Sequence, residues 1–323
     1  MLGATGTIGR ATVRALLQRG HDVTCFIRPL QRETPTGTFD DRTTPFRGAT
    51  IRYGEVRDRD SLLRDGFCGE QFDAVVSCLA SRTGVPDDAW AIDHQAHLHA
   101  LDAARHAGVT RFVLLSAICV QKPRLAFQHA KLAFERALME SGLTWSIVRP
   151  TAYFKSLSGQ VDRVRRGKSF LLFGDGALTA CKPISDDDLG AFIADCLDDA
   201  SRQHCILPIG GPGPAITPRE QGAQLFALFD RTPKYTQVPV AMLDVIIGVL
   251  SALGRVVPSL AAKAELARIG RYYATESMLV LNSQTGRYDA AATPETGRET
   301  LFAHYAVLAQ TGAAVDRGEH TVF

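Results

Sequence analysis

Glycines at the first, fourth and seventh positions of Gly3-Ala4-Thr5-Gly6-Thr7-Ile8-Gly9 have the spacing of a phosphate-binding turn. The first allows a tight turn, the second lets an anion approach the backbone closely, and the third lets the following helix pack closely. Thr5, Thr7 and Ile8 complete the loop, and the N-terminus of that helix faces the negative charge. Ala11, Val13, Leu16 and Leu17 keep helical spacing up to a stop at Gly20, so the glycines open a helix. A dinucleotide is the ligand this context predicts. At the end of the next apolar run an acid would bind the ribose 2′-hydroxyl and a base would accommodate a 2′-phosphate. The residue there is Arg28, and Asp22 lies before the run, so NADPH is preferred over NADH; an ordinary surface arginine is the alternative.

The elements that must hold these residues alternate. Residues 23–27, 50–53, 74–79, 111–116 and 145–148 are short β-rich runs separated by helix-compatible segments. This predicts an α/β fold of Rossmann type, a doubly wound parallel sheet with ligands at the carboxyl ends of its strands. By that topology Val56, in Gly54-Glu55-Val56-Arg57-Asp58, sits beside the adenine, and Leu79, Ala80 and Ser81 lie along the ribose and phosphates. Ser116 and Pro150 belong to the same edge and join the expected cofactor contacts. Ser185 is expected to cap a helix led by Asp186, Asp187 and Asp188, and Thr217-Pro218-Arg219-Glu220 reads as a capping box. Residues 206–210 look like a strand returning to the sheet. The expected division is a dinucleotide-binding domain over residues 1–150 and a smaller substrate lobe over 151–323, partly interleaved with it. Only Met1 and Leu2 precede the loop, where a strand of about five apolar residues is expected. The first strand is therefore expected to be truncated, either because the true start lies upstream of Met1 or because the chain is a shortened form, with the central hydrogen-bonding edges bare.

Composition narrows the partners. The 323 residues are 46% hydrophobic, enough to bury a sizeable core, and a net charge of +2 gives no case for nucleic acid. Seven scattered cysteines without a CxxC pair suggest neither a disulfide framework nor zinc, which fits a reducing cytoplasm. His94, His97 and His99 do not share one helix face, so no metal is expected. The most apolar stretch, residues 240–253, is shorter than the roughly 20 residues of a membrane span. It is expected as a core helix, with a helix on a membrane surface as the alternative.

Ser116 and Lys131 resemble the serine and lysine of short-chain dehydrogenases/reductases. The tyrosine of that family's YxxxK is replaced by Phe127, so the resemblance transfers only the lysine's binding of the nicotinamide ribose. Residues 75–84 (VVSCLASRTG), 114–123 (LLSAICVQKP), 146–152 (SIVRPTA), 179–185 (TACKPIS), 207–213 (LPIGGPG) and 269–278 (IGRYYATESM) resemble, in order and over nearly the whole chain, the NADPH-dependent divinyl chlorophyllide 8-vinyl reductases. The resemblance implies reduction of a tetrapyrrole vinyl group to ethyl during (bacterio)chlorophyll synthesis. It also opens peripheral contact with a photosynthetic membrane. A carbonyl reductase needs an acid at the developing oxyanion, whereas a conjugated macrocycle absorbs the charge, so Phe127 is compatible. Phe127, Cys119 and Phe154 are expected against the flat substrate, and Lys122 and Lys155 are candidates for its carboxylate. Tyr153 and Lys131 are the expected catalytic residues; Cys119, Lys155 and water remain alternative proton donors. A non-catalytic NADP-binding regulator of NmrA-like type, or a reductase of a smaller conjugated alkene, would share the loop.

Overall fold

The computed structural model of the chain describes residues 1–29 and 46–311. Six strands carry the main sheet: β1 (Thr24–Ile27), β2 (Thr50–Tyr53), β3 (Ala74–Ser77), β4 (Arg111–Leu115), β5 (Thr144–Pro150) and, after the short β6 (Phe170–Phe173), β7 (Cys205–Ile209). All pairings among the six are parallel: β1 with β2, β3 with β4, β4 with β5, and β5 with β7. The sheet thus follows the alternation expected from sequence, and its return strand pairs Ile147 with Ile206.

Between β1 and β3 lies the place of the first strand, and Met1 and Leu2 occupy part of it. Leu2 bridges to Phe26 on one side and Ser77 on the other. Its N–H donates to the Val76 carbonyl (2.9 Å), its carbonyl accepts from Cys78 N–H (3.0 Å), and the Met1 carbonyl accepts from Phe26 N–H (3.0 Å). The expectation of bare central edges is corrected at these two residues, which knit the halves into one order, β2-β1-Leu2-β3-β4-β5-β7. Beside them lies an apolar cavity of about 50 Å³, lined by Met1, Phe26, Phe67 and Val75 among others.

Two helices fix the glycine loop from opposite sides of the sequence. The loop helix (Thr7–Gln18) buries Ile8, Ala11, Val13 and Leu16 and packs against the helix Asp186–Asp198. A Cβ on Gly190 would come within 2.6 Å of the Ala11 backbone, so the two backbones approach as closely as glycine permits. Ser185 caps the second helix by accepting from Asp188 N–H (3.0 Å), with three aspartates in the first turn opposing the positive end of the dipole. Thr217 and Glu220 close the capping box of the helix Pro218–Leu228. A small parallel sheet of β6 and β8 (Tyr235–Val238) covers a separate core containing Phe154, Phe170, Leu172, Phe226 and Tyr305.

The apolar helix Val240–Leu253 departs from expectation. It contains no buried residue; Val245 is 66% exposed, and Val249 and Leu253 are each 52% exposed. It packs on the helix Pro258–Thr275 but not into a core, because no further layer lies over its outer face among the described residues. Among those residues no helix is long and apolar enough to cross a membrane.

Candidate active site

The glycine loop is built by contacts that only glycine allows. Gly3 has φ +68°, and a Cβ there would stand 2.5 Å from the Cys78 and Leu79 backbone; a Cβ on Gly9 would meet the Gly3 carbonyl oxygen at 2.0 Å. The turn is therefore pressed against the end of β3 and against its own helix. Gly6, by contrast, would meet nothing nearer than 3.4 Å, which leaves its outer side clear. Gly6 N–H donates to the Gly3 carbonyl (3.2 Å), and Thr5 receives a hydrogen bond from Arg10 Nε (3.1 Å) on its carbonyl. This is a cradle shaped for a pyrophosphate.

Lys155 reaches this cradle from beyond β5: its Nζ donates to Thr7 Oγ1 at 3.2 Å. Asp186, in the first turn of the neighbouring helix, faces the same place. Burial raises its carboxyl pKa to about 6, with Lys155 acting in the opposite direction. Lys155 thus stands at the phosphate loop.

Farther along the edge, the segment after β3 is pinned in place. Leu79 N–H donates to Ser77 Oγ (3.3 Å), and Ser81 N–H donates to Asp93 Oδ1 (3.2 Å). Ala80 lies between these anchors, so its backbone is fixed from both sides. Val56 is buried in the core behind this edge, and Pro150 ends β5 beside Ile209. Arg28 is exposed just past β1, at the position where a 2′-phosphate would be met. It is within electrostatic reach of Glu55, whose carboxyl is held below its ordinary range mainly by hydrogen bonds from Arg57 and in smaller part by Arg28.

Lys131 projects from the helix Ala126–Met139, and its Nζ donates to Asp93 Oδ1 at 2.9 Å. Asp93 is almost wholly buried in a π-helical turn, Trp90–Ala96, and its Oδ2 is buried without a hydrogen-bond partner among the described residues. Such turns shift register locally and collect at functional sites. Beneath this pair, His97 is fully enclosed. Its Nδ1 lies 3.0 Å from the Ile92 carbonyl and must donate to it, so Nε2 accepts from Ser77 Oγ (2.9 Å) and the ring is neutral. Burial first, and the Lys131 charge second, push its pKa down to about 4.

Several expected contacts are engaged elsewhere. Ser116 is buried and donates through Oγ to Glu135 Oε1 (2.5 Å), and Glu135 is also paired with Arg149. Its hydroxyl is thereby committed to a buried polar triad. Lys122 donates to Glu276 Oε2 at 2.7 Å, and Glu276 also receives Arg124 Nη1 (3.0 Å) and Tyr288 OH (2.8 Å). Burial opposes ionisation of Glu276, but these donors hold its pKa below the ordinary range. Phe154 is buried beside His304 in the core under the small sheet, so the structure does not bring it to the cleft.

Phe127 and Cys119 do converge. Phe127 joins Cys119, Leu125, Ala130, Ile269 and Tyr272 in one apolar cluster between the Lys131 helix and the helix Pro258–Thr275. Tyr272 ties the latter helix down through its hydroxyl, whose one proton is shared between the carbonyls of Cys119 (2.9 Å) and Lys122 (3.0 Å). Its neighbour Tyr273, not singled out as a site residue from sequence, places its hydroxyl 3.9 Å from Cys119 Sγ. Cys119 is also within electrostatic reach of Lys131 and Tyr153, and Tyr153 in turn of Cys78 and Asp186. One continuous edge therefore runs from the glycine loop through Lys155, Tyr153 and Cys119 to Lys131 and Tyr273. Three or more metal-ligating side chains do not cluster among the described residues.

The profile of the NAD(P)H-binding family matches residues 3–200. The chloroplastic divinyl chlorophyllide a 8-vinyl-reductase of Oryza sativa subsp. indica is 48% identical over 99% of the chain and 81% of its own length. The enzyme of the same name from Zea mays is 47% identical, over 99% and 82%. Among solved structures, NADPH-dependent quinone oxidoreductase QOR2 from Escherichia coli, complexed with NADPH, superposes with a TM-score of 0.68. It covers 95% of this chain and 98% of its own, at 18% identity, which is a likeness of fold.

Proposed function

Since the chain belongs to the family of divinyl chlorophyllide a 8-vinyl-reductases and to the NAD(P)H-binding family, we infer that it reduces the 8-vinyl group of divinyl chlorophyllide to ethyl. NADPH, when bound, supplies the hydride. The observation that carries this reading is the full-length identity of 48%, which includes the substrate lobe as well as the glycine loop. Protochlorophyllide with the same vinyl group is included in the proposed substrate range.

The residues divide the work along the edge. The cradle of residues 3–9 and Lys155 hold the pyrophosphate, and Arg28 meets the 2′-phosphate. Lys131, aimed by Asp93, binds the nicotinamide ribose. Phe127 lies in the apolar wall, four residues before Lys131. A vinyl group asks for no acid at that place, because negative charge left on its inner carbon spreads into the conjugated ring. The wall of Phe127, Ile269 and Cys119 is buried and instead excludes water behind the edge.

The exposed apolar helix Val240–Leu253 supports peripheral contact with a photosynthetic membrane. Exposed Arg255 and Lys263 stand near its C-terminal end, which suits anionic headgroups.

The test is incubation with NADPH and divinyl chlorophyllide. The expected result is a blue-shifted Soret band and a product heavier by two hydrogens. An unchanged pigment, with NADPH shown to bind, overturns the reading.

A further inference from the structure

Reducing a vinyl group also needs a proton, and three tyrosines lie around Cys119. Their surroundings differ. Tyr272 OH is fully used, its one proton shared between two backbone carbonyls, so it serves as a clamp. Tyr153 lies towards the phosphate side, within electrostatic reach of Cys78 and of Asp186 beside the glycine loop. Tyr273 belongs to the substrate lobe and meets the edge from the opposite direction. Among the described residues the hydrogen-bond partner of its hydroxyl is a thiol sulfur, at 3.9 Å, a weak partner that a substrate carbon can replace at little cost. The residue keeps 37% of its surface exposed, while Cys119 beside it is 2% exposed and enclosed. Burial of the hydroxyl end raises its pKa well above 10, which keeps the phenol protonated between turnovers.

Resting on the vinyl-reductase reading above, we propose that Tyr273 is the proton donor, passing its hydroxyl proton to the inner carbon of the 8-vinyl group. The balance is complete. Hydride addition forms a C–H bond at the outer carbon and breaks the C=C π bond, whose electron pair moves to the inner carbon and the ring. That carbon then forms its new C–H bond with the proton of Tyr273, and the O–H bond breaks. The phenolate regains its proton from water as the product leaves, which restores the phenol. The alkene is reduced by two electrons, supplied by NADPH, and one proton is drawn from water.

The test uses the full chain, with wild-type turnover of divinyl chlorophyllide established first; failure at that point strikes the functional reading and not the donor. Tyr273→Phe is expected to lower kcat about 100-fold, the low end of general acid catalysis, while the NADPH Kd and thermal melting stay within twofold. As a readout independent of turnover, 3-fluorotyrosine in place of Tyr273 gives a ¹⁹F resonance expected to shift when divinyl chlorophyllide is added without NADPH. Turnover of Tyr273→Phe within threefold of wild type overturns the proposal. So does an unmoved ¹⁹F resonance at saturating pigment, or a loss of kcat matched by loss of NADPH binding.

Discussion

Lys155 Nζ and Thr7 Oγ1 lie 3.2 Å apart, although 148 residues separate them in the chain. The contact carries a cation from beyond the last central strand onto the mouth of the phosphate loop, where the loop helix already presents its free N–H groups. A charged hydrogen bond to phosphate is worth roughly 1.5–3 kcal/mol. Lys155→Ala is therefore expected to weaken NADPH binding about tenfold, the equivalent of ~1.4 kcal/mol, and to reduce the salt dependence of the Kd. Fluorescence titration with NADPH at two ionic strengths measures both. An unchanged Kd would return Lys155 to the substrate carboxylate.

Asp93 and Lys131 form a pair in which the carboxylate side chain is 0% exposed and the ammonium 11%. Removing one partner strands the other charge in a poorly solvated place, a loss of about 3–5 kcal/mol in comparable pairs. Asp93→Ala is expected to lower stability to urea by that order and to raise the KM for NADPH as Lys131 loses its aim. Asp93→Asn keeps the shape and one acceptor oxygen, so it should recover most of the stability but less of the KM. Equal KM values for wild type and both variants would reduce Asp93 to a structural role.

How much of this was legible in the sequence depended on range. The glycine loop, the alternation of strands and helices, and the caps at Ser185 and Thr217 are written in neighbouring residues, and local chemistry decides them. Ser116 looked available because Glu135 and Arg149, which engage its hydroxyl, come together only in the folded chain. Lys122 looked like a free cation for the same reason, since Glu276 lies 154 residues away. The helix Val240–Leu253 reads as core by composition alone, yet exposure is set by what packs over it. Tyr273 lies in the run 269–278 that carries the resemblance, but its contact with Cys119 spans 154 residues and is not written locally. Adjacent helical residues point about 100° apart, so the pair cannot serve one purpose, and that geometry was the signal available.

His97 makes stability depend on pH in a calculable direction. Its native pKa is pushed down to about 4, whereas the unfolded imidazole titrates near 6.5. Below pH 6.5 the unfolded chain therefore binds a proton that the native state refuses, and stability falls until about pH 4. Between pH 7 and pH 5 the loss is about 2 kcal/mol. Asp186 runs the other way, because a pKa raised to about 6 makes the native state gain a proton first as pH falls. Comparing urea unfolding of wild type with His97→Gln at both pH values separates the two, since Asp186 is common to them. The variant is expected to show a shallower loss; parallel pH dependences would show that His97 is not the source.

Val245, Val249 and Leu253 recur every four residues and are 66%, 52% and 52% exposed, so they form one apolar stripe along the outer face of their helix. Asp244, the one charged residue in that helix, is turned into an ion pair with Arg271 on the helix behind it. The outer face thus presents aliphatic surface to whatever meets it, and the same supporting helix carries Tyr273 towards the cleft. Burying an aliphatic side chain of this size is worth about 1.5–3 kcal/mol, so two placed at a bilayer interface are enough for measurable partitioning. Flotation with phosphatidylglycerol-containing vesicles is expected to carry the wild-type protein. Val245→Asp combined with Val249→Asp should lower the bound fraction at least tenfold while leaving turnover of detergent-dispersed pigment within twofold, because neither side chain reaches the cleft. Equal flotation of both proteins would remove the stripe as the membrane contact. A change in sedimentation on substitution, without any vesicle effect, would assign the stripe to a second copy of the chain.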